Sequence, residues 1–244
     1  MPIKKYSESL FLSGIVCPAY IDYKYDIYEL DLTQKIANLS LIYFLENIEE
    51  FIVSLDLDGL IFKSIKAASN RKISKKNKSF KRRIFSFCSN FIYEFLKKFP
   101  PSVYYPILTQ IQVPVAINNI EVNFEYDIVL KNLNNGNIVS LSIIPSFDFQ
   151  TKNNLNYFYA KKNLIADRLS LLYDYKEIEF SLYYIPKMKP VSSDQTLNIK
   201  IKNIETKNVY IKDYIELFIN KLKIKKNPFC LNFSCQKRKE CANG

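Results

Sequence analysis

Between residues 31 and 54 apolar side chains recur at Ile36, Leu39, Ile42, Tyr43, Leu45 and Ile48. That spacing lays them along one helical face, with Asp31 or Thr33 as N-cap. A second amphipathic helix is predicted over 84–98. Pro100 and Pro101 stop it, because proline lacks the N–H that a continuing helix needs. The period then changes. Residues 107–117 (ILTQIQVPVAI) and 120–130 (IEVNFEYDIVL) alternate apolar and polar positions, with Asn118 and Asn119 as the turn between them. A third strand, 137–144, follows the turn Asn134-Asn135-Gly136. Helical spacing returns over 154–174, strands are predicted at 177–185 and 197–202, and a last helix at 211–223. Helices, a three-strand meander, a helix, strands and a helix predict one α/β domain with a mixed sheet and no internal repeat.

The chain has 244 residues, 48% of them apolar, enough for a sizeable core. No run reaches the ~18 apolar residues of a membrane span. The apolar stretch Leu10–Cys17 follows Lys4 and Lys5, as in a lipoprotein signal. Glu8 and Ser9 shorten it, however, and Val16 stands where a small residue is wanted before the cysteine. A soluble cytoplasmic protein without membrane contact is therefore expected.

Two absences narrow the chemistry. There is no histidine, so Ser-His-Asp and Cys-His nucleophile systems and HExxH zinc sites are excluded. The 4 glycines are isolated, which removes glycine-rich phosphate loops. What remains is chemistry by carboxylates, Lys, Arg, Tyr, Cys or a bound cofactor.

Five cysteines are too few for a disulfide scaffold. Their placement is uneven: Cys17 near the start, Cys88 among Phe85, Phe87 and Phe91, and Cys230, Cys235 and Cys241 in the last fifteen residues. Cys88 reads as a buried core thiol. The three terminal thiolates can converge on one metal or cluster, with Cys17, followed by Pro18, as the fourth. Four thiolates suit a [4Fe–4S] cluster or structural Zn²⁺.

A Cys-Pro near the N-terminus, an α/β core and three terminal cysteines ending in Cys235-x5-Cys241 resemble the iron–sulfur PD-(D/E)XK nucleases. That family includes the CRISPR-associated RecB-like exonucleases and the AddB nuclease domain. The resemblance implies a restriction-endonuclease-like core, a mixed central sheet flanked by helices, over 103–223. It implies a helical portion over 18–100 and a cluster tail over 224–244, all in one domain. Cys17, Cys230, Cys235 and Cys241 then hold a [4Fe–4S] cluster that staples the chain ends together. The spacing Cys230-x4-Cys235 departs from the family's usual C-x2-C and keeps zinc open.

The family's hydrolysis needs strand acids holding Mg²⁺ or Mn²⁺ and a lysine beside them. Asp127, in Tyr126-Asp127-Ile128-Val129-Leu130, stands at the first acid, with Phe124 replacing the usual glycine. Counting onward puts Ser142 at the second acid and Ile144 at the lysine, which predicts a dead site. A second alignment uses Asp148-Phe149-Gln150-Thr151, with Asp148 as the acid and Gln150 for the lysine. It carries the strand past Pro145, against proline's poor fit in central strands. Glu46, Glu49 or Glu50 could add a carboxylate, or be a solvated helix face. Tyr157 and Tyr159 resemble the family's Q-x-x-x-Y helix.

Charge changes the picture last. Arg71, Lys72, Lys75, Lys76, Lys78, Lys81, Arg82 and Arg83 carry +8 of the net +11. Such a run is a solvated loop or a phosphate-backbone contact, and Lys161, Lys162 and Arg168 could line the same groove. Tyr104-Tyr105 or Tyr183-Tyr184 could stack bases. Together these features predict a nucleic-acid-binding protein with a degenerate nuclease site. It would bind single-stranded DNA or duplex ends and scaffold a nuclease, helicase or CRISPR adaptation partner. An active metal-dependent exonuclease and a zinc-stabilised protein-interaction module are the alternatives.

Overall fold

In the computed structural model the described residues are 3–16, 30–69, 73, 76–144, 152–175, 177–188 and 201–222. The chain opens with β1 (Lys4–Ser7) and α1 (Glu8–Val16). A helical layer follows: α2 (Leu32–Glu46), α3 (Ile48–Ser54), α4 (Leu57–Ser69) and α5 (Lys78–Lys98). Then come β2 (Tyr104–Ile117), β3 (Ile120–Asn132), β4 (Ile138–Ile144), α6 (Lys152–Ser170), β5 (Ile178–Tyr184), β6 (Ile201–Ile204) and α7 (Ile211–Leu222). This is a mixed α/β fold with a six-stranded sheet.

Local chemistry accounts for most boundaries. Asp31 caps α2 in a capping box: its carboxylate accepts from Thr33 and Gln34 N–H, and the Gln34 side chain accepts from Asp31 N–H. The predicted helix 31–54 is two helices, broken at Asn47. Residues 57–69, left unassigned by the periodic reading, form α4, whose Leu60, Ile61, Ile65 and Ala68 are buried. α5 starts six residues before the predicted Ile84. Asn77 caps it by accepting from Phe80 N–H at 2.8 Å. The β3–β4 turn closes with Gly136 N–H donating to Asn132 C=O at 2.9 Å, Gly136 sitting at φ +76°. Only glycine adopts that conformation without strain.

β3 organises the sheet. One of its edges pairs antiparallel with β2 along nearly the whole strand. Its other edge is shared: β1 pairs parallel with Ile120–Asn123, and β4 antiparallel with Ile128–Lys131. β4 pairs parallel with β5, and β5 antiparallel with β6. Lys4–Ser7 therefore belong to the sheet, and the helical layer is an insertion between α1 and β2.

Two apolar cores flank the sheet. One packs α2, α4 and α5 against Ile128, Leu130, Leu141 and Tyr183. The other packs α1, α6 and α7 against Val122, Phe124, Tyr126, Phe180 and Leu182. Burying one such side chain stabilises the fold by roughly 1.5–3 kcal/mol. Cys88 lies in the first core as a free thiol, and burial pushes it up to about 12. No described helix is long and apolar enough to cross a membrane.

Candidate active site at a gap in the sheet edge

β1 leaves β3 after Asn123 and β4 joins it only at Ile128, so Phe124–Asp127 have no strand on that edge. Buried backbone polar groups must still find partners, and here two carboxylates supply them. Glu8, the first residue of α1, accepts from Glu125 N–H at 2.7 Å. Asp127 accepts from Ile143 N–H, on β4, at 2.7 Å. Each acid stands in for a missing strand carbonyl.

The other edge of β3 is interrupted at the same point. The ladder with β2 pairs Tyr126 with Ile111 and Ile128 with Thr109, while the intervening Gln110 has φ +49°. A non-glycine residue in that region carries strain. β3 also switches faces there: Tyr126 belongs to one core and Ile128, two residues on, to the other. Asp127 sits at this twist.

Around Asp127 the structure gathers four groups. Asn38 of α2 donates to its other oxygen at 3.3 Å. Continuing the β3–β4 register one residue past Ile128–Leu141 puts Ser142 opposite it. Glu8 and Lys161 both act on it electrostatically. The Lys161 ammonium lies 2.7 and 2.9 Å from the Glu8 oxygens and 4.9 Å from the Tyr126 ring centroid. Tyr157 donates to Glu8 at 2.6 Å, and Tyr126 O–H to Lys161 C=O at 3.2 Å. Both partners of the ion pair are buried, with side chains 4% (Lys161) and 11% (Glu8) exposed.

Burial pushes the Asp127 carboxyl up to about 6 from an ordinary 3.8, against the opposing pull of Ile143 N–H, Lys161 and Asn38. The folded state therefore holds the proton more tightly than the unfolded chain. That contribution to stability is full below about pH 3.8 and is lost as pH rises through 6. Asp127→Asn is expected to stabilise the fold above pH 6, by up to about 3 kcal/mol, and to lose the advantage below pH 4. Asn38 Oδ1 has no described partner, and after an amide flip it can accept from the new amide. Urea unfolding at pH 4 and pH 8 checks this; equal effects at both would contradict it.

The other sequence candidates are dispersed. Glu46 accepts from Thr109 at 2.9 Å, Glu49 from Tyr105 at 2.8 Å, and Glu50 pairs with Lys63 at 3.0 Å. None supplies a carboxylate beside Asp127; they tie the helical layer to β2 and to itself. Lys161 is buried against Glu8, away from any groove. Lys162, largely buried, donates to Ile204 C=O at 3.0 Å and lines an open cavity whose other polar walls include Glu177, Glu179 and Asn203. Tyr183 is fully buried and cannot stack a base. Tyr157 is buried on Glu8, while Tyr159 lies under Lys207, whose ammonium is 4.3 Å from the ring centroid. Asp148 and Gln150 lie outside the described residues, as do Cys17, Cys230, Cys235, Cys241, Arg71, Lys72 and Lys75.

Of the basic run, Lys76, Lys78 and Arg82 are exposed, and Lys81 and Arg83 are partly buried. Lys78, Lys81, Arg82 and Arg83 occupy the beginning of α5, whose first turn holds no acid. Glu8 is the residue that sequence reasoning missed. Its one signal was a lone acid interrupting an apolar N-terminal stretch.

No family model matches the chain, and no curated protein matches it. A solved structure, the crystal structure of SSO0001, aligns with 95% of this chain and 93% of its own at 10% identity and a TM-score of 0.33. Among the described residues no group of three or more Cys, Asp or Glu is placed to hold a metal.

Proposed function

We propose that this chain is a nucleic-acid-binding protein built like the iron–sulfur PD-(D/E)XK nucleases, with a site that no longer hydrolyses. The observation that carries the binding half is the charge at the start of α5. A helix N-terminus is already positive, and cations there are unfavourable by about 0.3–1 kcal/mol each. Lys78 accepts that cost at the first position, and Arg82, exposed one turn on, adds its charge, with no acid in the first turn. A phosphate backbone laid across them would relieve it and use the same field.

The dead-site half follows from Asp127. Both its oxygens receive protein hydrogen bonds. Opposite it stands a serine in place of a second acid. The nearby cation is an ammonium already bound to Glu8. A hydrolytic Mg²⁺ or Mn²⁺ needs free carboxylate oxygens and room for water, and these residues do not fit one. In this reading the chain holds single-stranded DNA or duplex ends for a partner nuclease, helicase or CRISPR adaptation component. Cys17, Cys230, Cys235 and Cys241 hold a structural [4Fe–4S] cluster.

An exonuclease using Asp127, Asp148 and Gln150 is the second reading. The strained Gln110 opposite Asp127 is what favours it, since strain collects at functional sites. The deciding experiment incubates anaerobically purified protein with labelled single-stranded DNA and Mn²⁺. Salt-sensitive binding without cleavage is expected. Cleavage abolished by Asp127→Ala would replace this reading with the second one. Zinc instead of iron and sulfide in the same preparation would favour the interaction module.

A further inference from the structure

We infer that the Lys161 ammonium is a built-in cation that takes the place of a divalent ion in the sheet-edge gap and keeps metal out. The inference rests on the reading of the gap as a metal site that has lost its function.

Electrostatics comes first. Two carboxylates occupy the same gap on the β3 edge, Glu8 on Glu125 N–H and Asp127 on Ile143 N–H, and act on each other unfavourably. Such a pair needs a cation or a proton between them. A metal-dependent site supplies the cation from solution; this chain supplies it from α6. Lys161 reaches both Glu8 oxygens, lies against the face of Tyr126 and lowers the proton affinity of Asp127. It is 3% exposed, so it is a fixed internal charge and not a solvent-facing contact.

The surroundings retain an oxygen donor that the lysine leaves unused. Ser142 Oγ is buried and has no described partner. The alternation of β4 puts it with Ile138 and Ile144, on the side of the sheet where α6 packs. A buried hydroxyl without a partner costs about 1–3 kcal/mol, a cost that an ion or a water taking it as partner would relieve. Glu8, Asp127 and Ser142 offer the hard oxygens that Mg²⁺ and Mn²⁺ prefer. One ammonium carries less charge than a divalent ion and, in this place, no open position for water.

Removing the ammonium should therefore open the site to metal, because both Glu8 oxygens lose the bonds it gives them, while each Asp127 oxygen accepts one described hydrogen bond and keeps a second lone pair. The test measures thermal unfolding of the full chain and of Lys161→Ala over a Mn²⁺ series. Loss of free Mn²⁺ resonance on binding serves as a second readout. The wild type is expected not to respond. The Lys161→Ala melting temperature is expected to rise by about 5–10 °C at a Mn²⁺ concentration about a hundred times its dissociation constant. Adding Asp127→Asn to Lys161→Ala should cancel the response. Should Lys161→Ala be unfolded without metal, Mn²⁺ is expected to refold it. A variant that stays unfolded in Mn²⁺, or folds and gains no affinity over wild type, overturns the inference. So does wild-type protein that binds Mn²⁺ through Asp127. DNA cleavage by the wild type would instead defeat the dead-site reading, so the two failures can be told apart.

Discussion

Glu8→Ala is expected to destabilise the fold by about 3–5 kcal/mol, the usual result of stripping one partner from a buried ion pair. Glu8 receives four hydrogen bonds: two from the Lys161 ammonium, one from Tyr157 O–H and one from Glu125 N–H. Alanine leaves the buried ammonium without the carboxylate it is bonded to and removes the acceptor of Tyr157 O–H and Glu125 N–H. The cost comes from what remains after the truncation, more than from the missing attraction. That makes a sharper expectation possible. Glu8→Gln combined with Lys161→Met removes both charges and keeps most of the volume. It should recover most of the stability, because uncharged replacement of a buried pair is often close to neutral. Urea midpoints at constant slope measure both effects. A Glu8→Ala variant within about 1 kcal/mol of wild type would show that water reaches Lys161 and that the pair is not sealed.

Neutralising the basic run is expected to have the largest effect on binding. With Arg71, Lys72, Lys75, Lys76, Lys78, Lys81, Arg82 and Arg83 all changed to glutamine, DNA affinity should collapse at low salt. The dependence on salt should flatten as well. Removing one phosphate-binding cation lowers the slope of log K against log salt by about one. Smaller changes sort the contributions. Lys78→Gln with Arg82→Gln removes the two exposed charges at the beginning of α5. It should lower the slope by about two and raise the melting temperature slightly, since it relieves repulsion at the helix terminus. Affinity measured from about 50 to 300 mM salt reads the slope. An unchanged slope in the eight-residue variant would place the DNA-binding surface elsewhere on the chain.

The fold and the site differ in how legible they were, and particular residues show why. The β2–β3–β4 meander was readable because each strand alternates locally and each turn carries its own signal, Asn118-Asn119 and Asn134-Asn135-Gly136. Helices α6 and α7 were readable from spacing alone. The start of α5 was not, because six residues, four of them basic, precede the first strongly periodic position. Yet Asn77 and Phe80 are a cap and a first apolar position. β1 was invisible: four residues cannot show a period, and the strand exists only because it pairs with Ile120–Asn123.

The same distinction governs the site. Asp127 could be singled out as an acid inside an apolar strand, and the register that sets Ser142 opposite it could be counted from the turn. The fate of Lys161 could not. On its helix it reads as a surface charge beside Lys162. Only the folded chain brings it to Glu8, 153 residues away in sequence, by packing α1 and α6 over the same stretch of β3. Glu46 and Glu49 erred in the opposite direction, because α2 and α3 direct them to β2 hydroxyls.

By itself the sequence determined the α/β class, the meander, the absence of histidine chemistry and the concentration of charge in one segment. These depend on residue type, local period and short turns, which act over a few residues. The tertiary structure alone decided that β1 and β4 share one edge of β3 and leave a gap between them. It alone decided that Glu8 and Asp127 fill that gap as strand surrogates, and that a lysine from α6 is the cation beside them. Burial and charge pairing between distant segments have no local signature, since the groups that set them meet only when the chain is folded.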